Sequence, residues 1–239
     1  MHERVKLSGS TWQQPWPAWI DPGRLPVLNR VVDRVLDLGD TRVCVAVDGR
    51  TGAGKTTFGH ELALLVADAG RGVLRASLDD FKRPWAERHR YDRVSAEGYY
   101  RNAFDLAAIH DILLAPAQPT GSGLVALCSI DPITQIDHSG TRVRLPNDGV
   151  LIVDGVFALR PELHRYWDLR IWLDIDPELS LRRVAARDST REGRARAERL
   201  HRERYAPSER LYIAEADPVS QADVVIDNAR LSNPHLVST

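Results

Sequence analysis

Val43-Cys-Val-Ala-Val-Asp48 leads directly into Gly49-Arg-Thr-Gly-Ala-Gly-Lys-Thr-Thr57. The first part is an apolar, partly β-branched run of strand type, and it stops at a glycine-rich turn. Residues 57–69 then carry apolar side chains at helical spacing and end at Gly70, so the turn lies between a buried strand and a helix. That is the context which the pattern GxxxxGK[ST] requires of a phosphate-binding loop, or P-loop. Gly49, Gly52 and Gly54 remove the Cβ atoms that would keep the backbone from curling around an anion. The loop from Gly49 through Arg50, Thr51, Gly52, Ala53 and Gly54 to Lys55, Thr56 and Thr57 can then aim its N–H groups at ATP. The positive end of the helix dipole adds to that attraction. Lys55 supplies a full charge to the β and γ phosphates, and the Thr56 hydroxyl is placed to ligate the Mg²⁺ that bridges them.

A chain of 239 residues is long enough for one large α/β domain, and it contains no internal repeat and no low-complexity linker. Its formal net charge is −1, which lacks the basic excess of a protein that wraps nucleic acid. Cys44 and Cys128 both fall in apolar runs that read as interior strands, as small buried hydrophobes of a reducing compartment do. No run approaches the roughly 20 apolar residues of a membrane span, and the N-terminus lacks a cationic segment leading into a signal-length apolar stretch. A cytoplasmic protein without membrane or nucleic-acid partners is expected.

Working outward, residues 1–24 are polar and proline-broken, with Trp12, Trp16 and Trp19 expected to dock on the outside of the core or on a second subunit of a homo-oligomer. Residues 25–38 draw one apolar stripe along a helix that packs before the first strand. After the P-loop helix, 73–78 reads as a strand whose end carries Asp79-Asp80-Phe81, and 150–154 reads as another ending in Asp154-Gly155. Carboxylates at such strand ends border the crevice where parallel sheets bind ligands. Residues 82–100 are dense in charge and aromatic rings, fitting either a cover over a substrate or a solvated connection. Residues 104–114 have helical spacing and end before Pro116; 124–128 reads as a third strand; 129–145, around Ser139-Gly140, as a hairpin excursion. Residues 169–174 form a further strand, 177–204 a long arginine-rich helical stretch, and 224–227 closes the set of strands. Strands alternating with helices imply a three-layer α/β/α fold with a mostly parallel central sheet. The expected division is an arm at 1–24, a single domain at 25–230 with a helical lid near 178–204, and a tail at 231–239.

Phosphoryl transfer needs a second handle on the metal, a group to orient or deprotonate the attacking oxygen, and positive charge over the migrating group. Asp154 suits the first role and Asp79 the second, with Asp79 also close enough in kind to serve the metal. Arg183, Arg187 and Arg191 recur every four residues and line one helix face, either closing over ATP or forming a solvated, ion-paired surface. Arg183 and Arg187 are the candidates for ATP, and His138 in the excursion for the substrate.

Together these motifs resemble the uridine kinase family, within the larger group that contains phosphoribulokinase and pantothenate kinase. The resemblance rests on the P-loop, Asp79-Asp80-Phe81, Leu151-Ile-Val-Asp-Gly-Val-Phe157, Leu173-Asp-Ile-Asp-Pro177 with Arg182, Arg183, Arg187 and Asp188, and Ala222-Asp-Val-Val-Ile-Asp-Asn228. It implies an ATP- and Mg²⁺-dependent kinase acting on a hydroxyl of a small molecule, typically the 5′-OH of uridine or cytidine. Asp79 matches the family's catalytic aspartate, Asp154 the acidic residue of its Glu-Gly motif, and Arg187 the arginine of the lid Arg-Asp pair; Lys55 completes the catalytic set. Asp80 replaces the serine that follows the catalytic aspartate, and Lys82 replaces a tyrosine. Tyr91-Asp92-Arg93 echoes the segment that holds the nucleoside, so Asp80, Tyr91 and Asp92 are substrate candidates. Other acceptors, such as pantothenate, a sugar phosphate or another nucleoside, remain open, as does a P-loop ATPase or switch that uses water.

Overall fold

The computed structural model describes residues 4–238 apart from 13, 14, 89, 90 and 93. In chain order, β1 (Val5–Leu7) precedes α1 (Leu25–Asp37), β2 (Val43–Gly49), α2 (Lys55–Asp68) and β3 (Val73–Ser77). Two short helices, α3 (Trp85–Arg88) and α4 (Ala96–Asn102), occupy the charged segment. A helical rod follows, made of α5 (Leu106–Ala108), a π-helical turn (Ile109–Leu114) and α6 (Ala115–Ala117). Then come β4 (Leu124–Val125), β5 (Val143–Arg144), β6 (Val150–Asp154) and β7 (Leu169–Asp174). The chain ends with α7 (Pro177–Glu192), α8 (Arg194–Leu200), a second π turn (His201–Tyr205), α9 (Ala206–Ala216), α10 (Pro218–Gln221), β8 (Val224–Asp227) and β9 (His235–Ser238).

Seven strands form the main sheet in the order β1-β3-β6-β2-β7-β8-β9. Every pairing is parallel except β8 with β9. Because strand side chains alternate between faces, Val43, Val45 and Val47 of β2 join one core with α1 and α2, whereas Cys44 and Ala46 join the other with α4 and α9. The sheet is thus buried on both sides, as the expected three-layer α/β fold requires.

Four sequence expectations change. The strand read at 124–128 shrinks to Leu124–Val125, which pairs antiparallel with Val143–Arg144 outside the main sheet, so Cys128 is buried but not in a strand. The helix expected to stop before Pro116 runs on to Ala117. Pro116 has no N–H to offer the Ile112 carbonyl, the rod loosens into a π turn there, and the Ala126 N–H bonds the Ile112 oxygen at 2.7 Å. That bond draws 126–128 away from strand pairing. The long stretch at 177–204 breaks at Gly193, where φ is +77, and continues helically to Ala216. Finally, Val224–Asp227 does not close the set of strands, because β9 follows it, and β1 precedes all the others from within the polar N-terminal segment. Among the described residues no helix is long and apolar enough to cross a membrane.

Candidate functional site

The P-loop joins β2 to α2 with positive φ at Gly49, Gly52 and Gly54. Gly49 holds φ at +147, and a Cβ there would stand 2.4 Å from the Leu173 carbonyl oxygen; at Gly54 it would meet the Asn228 amide at 2.9 Å. Only glycine fits these two positions. The loop is clamped from behind by α7 and α9. Ser180 Oγ donates to the Thr51 carbonyl at 2.6 Å, and Glu209 accepts from the Thr51 N–H at 2.6 Å. Asp48, fully buried, receives the Gly49 and Leu159 N–H groups and the Tyr212 hydroxyl; burial pushes its carboxyl above the usual range.

The Lys55 ammonium folds back onto the Gly49 and Arg50 carbonyls, each at 2.9 Å. Burial lowers its pKa, and the carboxylates of Asp48, Glu209, Asp154 and Asp79 pull in the other direction. Thr56 Oγ1 donates to Asp154 Oδ2 at 2.7 Å, while Arg75 holds Asp154 Oδ1 at 2.8 Å. This pair fits a Mg²⁺ ion that takes a hydroxyl and one carboxylate from the protein and fills its shell with phosphate and water. Among the described residues no group of three or more His, Cys, Asp or Glu side chains could hold a metal.

Asp79, about 30% exposed, lies just beyond β3, whose last residue Ser77 is in register with Asp154 on β6. Its Oδ1 is paired with the Lys82 ammonium at 2.6 Å, and its Oδ2 accepts from Trp12 Nε1 at 3.1 Å. Burial acts to raise the Asp79 carboxyl, but Lys82, Trp12 and Lys55 outweigh it and hold it below the ordinary carboxylate range. Thr51, Gly52, Gly54, Lys55, Thr56, Thr57, Asp79, Asp154, Arg183 and Arg187 all line one cavity of about 620 Å³. Gly49 and Ala53 are buried behind it, and Arg50 turns to Glu209 at 3.6 Å. Arg183 bridges the Gly52 carbonyl and those of Asn228 and Ala229. Arg187 forks onto Asp188 at 2.8 and 3.0 Å and is still 47% exposed.

The substrate candidates divide. Tyr91 and Asp92 line an adjoining cavity of about 320 Å³, whose wall residues Trp85, Arg88, Tyr99 and Arg204 also face the larger one. Arg93 lies outside the described residues. Asp80 and His138 are not brought to either cavity. Asp80 is fully buried under the N-terminal segment, where Ser8 Oγ donates to it at 2.6 Å; burial pushes its carboxyl up to about 6. His138 is held in the excursion through its own N–H on the Ser129 carbonyl, and Pro132 with Ile133 reaches the cavity instead.

The sequence does not mark Trp12, Lys82 or Arg204 as cavity residues, nor Arg75 as the partner of Asp154. Trp12, bonded to Asp79 in the cavity, departs from the expectation that the N-terminal tryptophans dock on the outside of the core or on a second subunit; Trp16 does pack on His60, with ring centroids 4.5 Å apart, and Trp19 is 68% exposed. Just past Asp154, Phe157 holds φ at +68, a costly conformation for a bulky residue. Its ring is wedged among Tyr99, Tyr100, Phe104 and Tyr212, centroids 5.0–5.9 Å away.

Residues 44–233 match the model of the Phosphoribulokinase / Uridine kinase family. A thymidylate kinase of Xanthomonas campestris pv. campestris is 30% identical over 157 residues, 64% of this chain and 64% of that protein, so the match spans less than two thirds of that relative. A uridine kinase of Staphylococcus haemolyticus is 24% identical over 152 residues, 63% of this chain and 70% of that one. The solved structure of a possible uridine kinase from Bacillus stearothermophilus superposes with a TM-score of 0.65 at 23% identity, covering 83% of this chain and 96% of that chain. This last is a likeness of fold.

Proposed function

Because the chain belongs to the phosphoribulokinase / uridine kinase family, we propose that it is an ATP-dependent kinase transferring the γ-phosphoryl group of MgATP to a hydroxyl of a small molecule, with the 5′-OH of uridine or cytidine the leading acceptor. The observation that carries this reading is that Lys55, the Thr56–Asp154 pair and Asp79 meet in one cavity. In this reading 25–230 is the body of the kinase domain, completed by β1 and β9 from the flanking segments, and 178–204 is its lid. Lys55 leaves the Gly49 and Arg50 carbonyls to bind the β and γ phosphates, and the N–H groups from Gly54 onward hold the rest, since those of Gly49, Thr51 and Ala53 are bonded to Asp48, Glu209 and the Arg50 carbonyl. Bound Mg²⁺ would neutralise phosphate charge next to Thr56 and Asp154. Asp79 orients the acceptor hydroxyl; as the new oxygen–phosphorus bond forms and the bond to the ADP oxygen breaks, the hydroxyl proton passes to its carboxylate. A carboxylate held ionised is a weak base for an alcohol, so its contribution is mainly position. Arg187 and Arg183 cover the transfer from the lid side.

The aromatic walls formed by Trp85, Tyr91 and Tyr99 favour an acceptor with a planar base. A second reading keeps the chemistry and makes the acceptor anionic. It is favoured by Arg88 and Arg204, whose side chains border both cavities on the acceptor side. The test is a panel of uridine, cytidine, thymidine, thymidine monophosphate, ribulose 5-phosphate and pantothenate with MgATP, following ADP. One acceptor should stimulate ADP release strongly. Asp79→Asn should then slow transfer about 100-fold or more while ATP affinity stays nearly unchanged. Equal phosphate release with and without every acceptor would instead mark a hydrolase or switch.

A further inference from the structure

We propose that Trp12 is a positioning residue for Asp79, so that the segment from Ser8 to Trp12 forms part of the acceptor side of the site. The inference rests on the kinase reading for the role of Asp79, but not for the contact itself. The Asp79 carboxylate is gripped from two directions: Lys82 Nζ on Oδ1 at 2.6 Å and the Trp12 indole N–H on Oδ2 at 3.1 Å. Lys82 alone is a point charge on a flexible stem and leaves the carboxylate plane free to turn. A second donor, directional and carried by a rigid ring, fixes that plane. The indole also steadies the first donor, since the Lys82 ammonium lies 5.7 Å from the Trp12 ring centroid and 5.8 Å from that of Phe104.

The segment that delivers Trp12 is anchored on both sides of its approach to the site. β1 pairs in parallel with β3, the strand that leads to Asp79. Ser8 Oγ donates to Asp80 at 2.6 Å, and both the N–H and the hydroxyl of Thr11 donate to Asp131 Oδ2, at 2.6 and 2.7 Å. A merely solvated arm would leave these groups to water. Here they converge on the two residues that flank the site, Asp80 next to Asp79 and Asp131 next to Pro132, and Trp12 lines the same cavity as Lys55 and Thr56.

Two measurements test this. In ¹⁵N-labelled protein the Trp12 indole N–H signal, identified by its loss in Trp12→Phe, should move when Asp79 is changed to Asn; an unmoved signal overturns the contact. With the acceptor found in the panel, Trp12→Phe should lower kcat about tenfold, the effect of a misaimed reacting group. KM for ATP should stay within about twofold. Full kcat in Trp12→Phe overturns the role, as does a fall in kcat accompanied by an equal loss of ATP binding and of Tm, which would mark a structural part only. Should Trp12→Phe fold poorly, Thr11→Val, which keeps the indole and loosens its anchor, should lower kcat by a smaller factor in the same direction, and an unchanged kcat there counts against the proposal. If no acceptor is turned over by the wild type, the kinase reading falls, and the indole signal still decides whether Trp12 holds Asp79.

Discussion

Arg75 occupies the middle of β3, where the neighbours on its own strand and on β6 are apolar, and is 2% exposed. Its guanidinium reaches Asp154 Oδ1 through Nη2 at 2.8 Å and donates through Nη1 to the carbonyls of Ala76 and Ile152, while Nε is buried without a hydrogen-bond partner among the described residues. Room for it comes from Gly59 on α2, where a Cβ would lie 2.7 Å from Arg75 Nη2. A buried pair of this kind contributes little net stability compared with an apolar pair, but breaking it is costly, because the surviving charge keeps its desolvation penalty and loses its partner. Arg75→Met should therefore destabilise the protein by about 3–5 kcal/mol, measured by urea unfolding. Adding Asp154→Asn should restore part of the loss. A change below about 1 kcal/mol would mean that water already screens the pair. The same logic predicts a functional cost, since Thr56 and Arg75 share the work of aiming Asp154.

The 131–135 turn holds the N-terminal segment in place and is itself organised by one carboxylate. Asp131 accepts from the Thr11 N–H and hydroxyl and from the N–H groups of Ile133 and Thr134. Burial works to raise its carboxyl, and these donors overcome that and depress it strongly. A carboxyl whose folded pKa lies below its unfolded value adds stability that is fully present above the unfolded pKa, near 4, and is lost as the pH falls through the folded value. The Tm gap between wild type and Asp131→Asn should therefore be widest above about pH 5 and narrow as the pH drops below about 4. A gap independent of pH would mean that Asp131 does not anchor the arm as an anion. At this scale the sequence was readable where one element carries its own signal. The apolar run into Gly49-Arg-Thr-Gly-Ala-Gly-Lys-Thr-Thr57 contains strand, turn and helix start within one short stretch, and the glycines name the ligand class. The run at 124–128 carried an equally good strand signal, but its fate depended on the Ile112 carbonyl that Pro116 leaves open. Trp12 on Asp79 joins residues 67 apart in the chain, and no local pattern encodes such a contact.

The sheet order sets the P-loop strand β2 between β6 and β7, so that Asp154 and, one strand further, Asp79 arrive on the same side of the loop. The two ends of the described chain meanwhile cover the two edges: β1 shields β3, and β9 runs antiparallel along β8, with Leu236 packed against the core of α1 and α2. An uncovered parallel edge presents unpaired N–H and C=O groups to any passing strand. The last residues thus have a structural part that their polar, short sequence does not announce. Removing residues 235–239 should cost about 1 kcal/mol, a Tm lower by roughly 2–4 °C for a chain of this size, with more aggregation on heating. Removing residues 230–239 should cost more. Arg24, which is 4% exposed and paired with Glu61, also donates to the Leu231 carbonyl, and losing that acceptor leaves a buried N–H without its bond. Thermal scans of the two truncations beside the full chain decide the matter. Equal Tm values for all three would mean that β9 lies on the edge without contributing to the fold, whereas a stepwise fall assigns one increment to the strand and a second to the Arg24 contact.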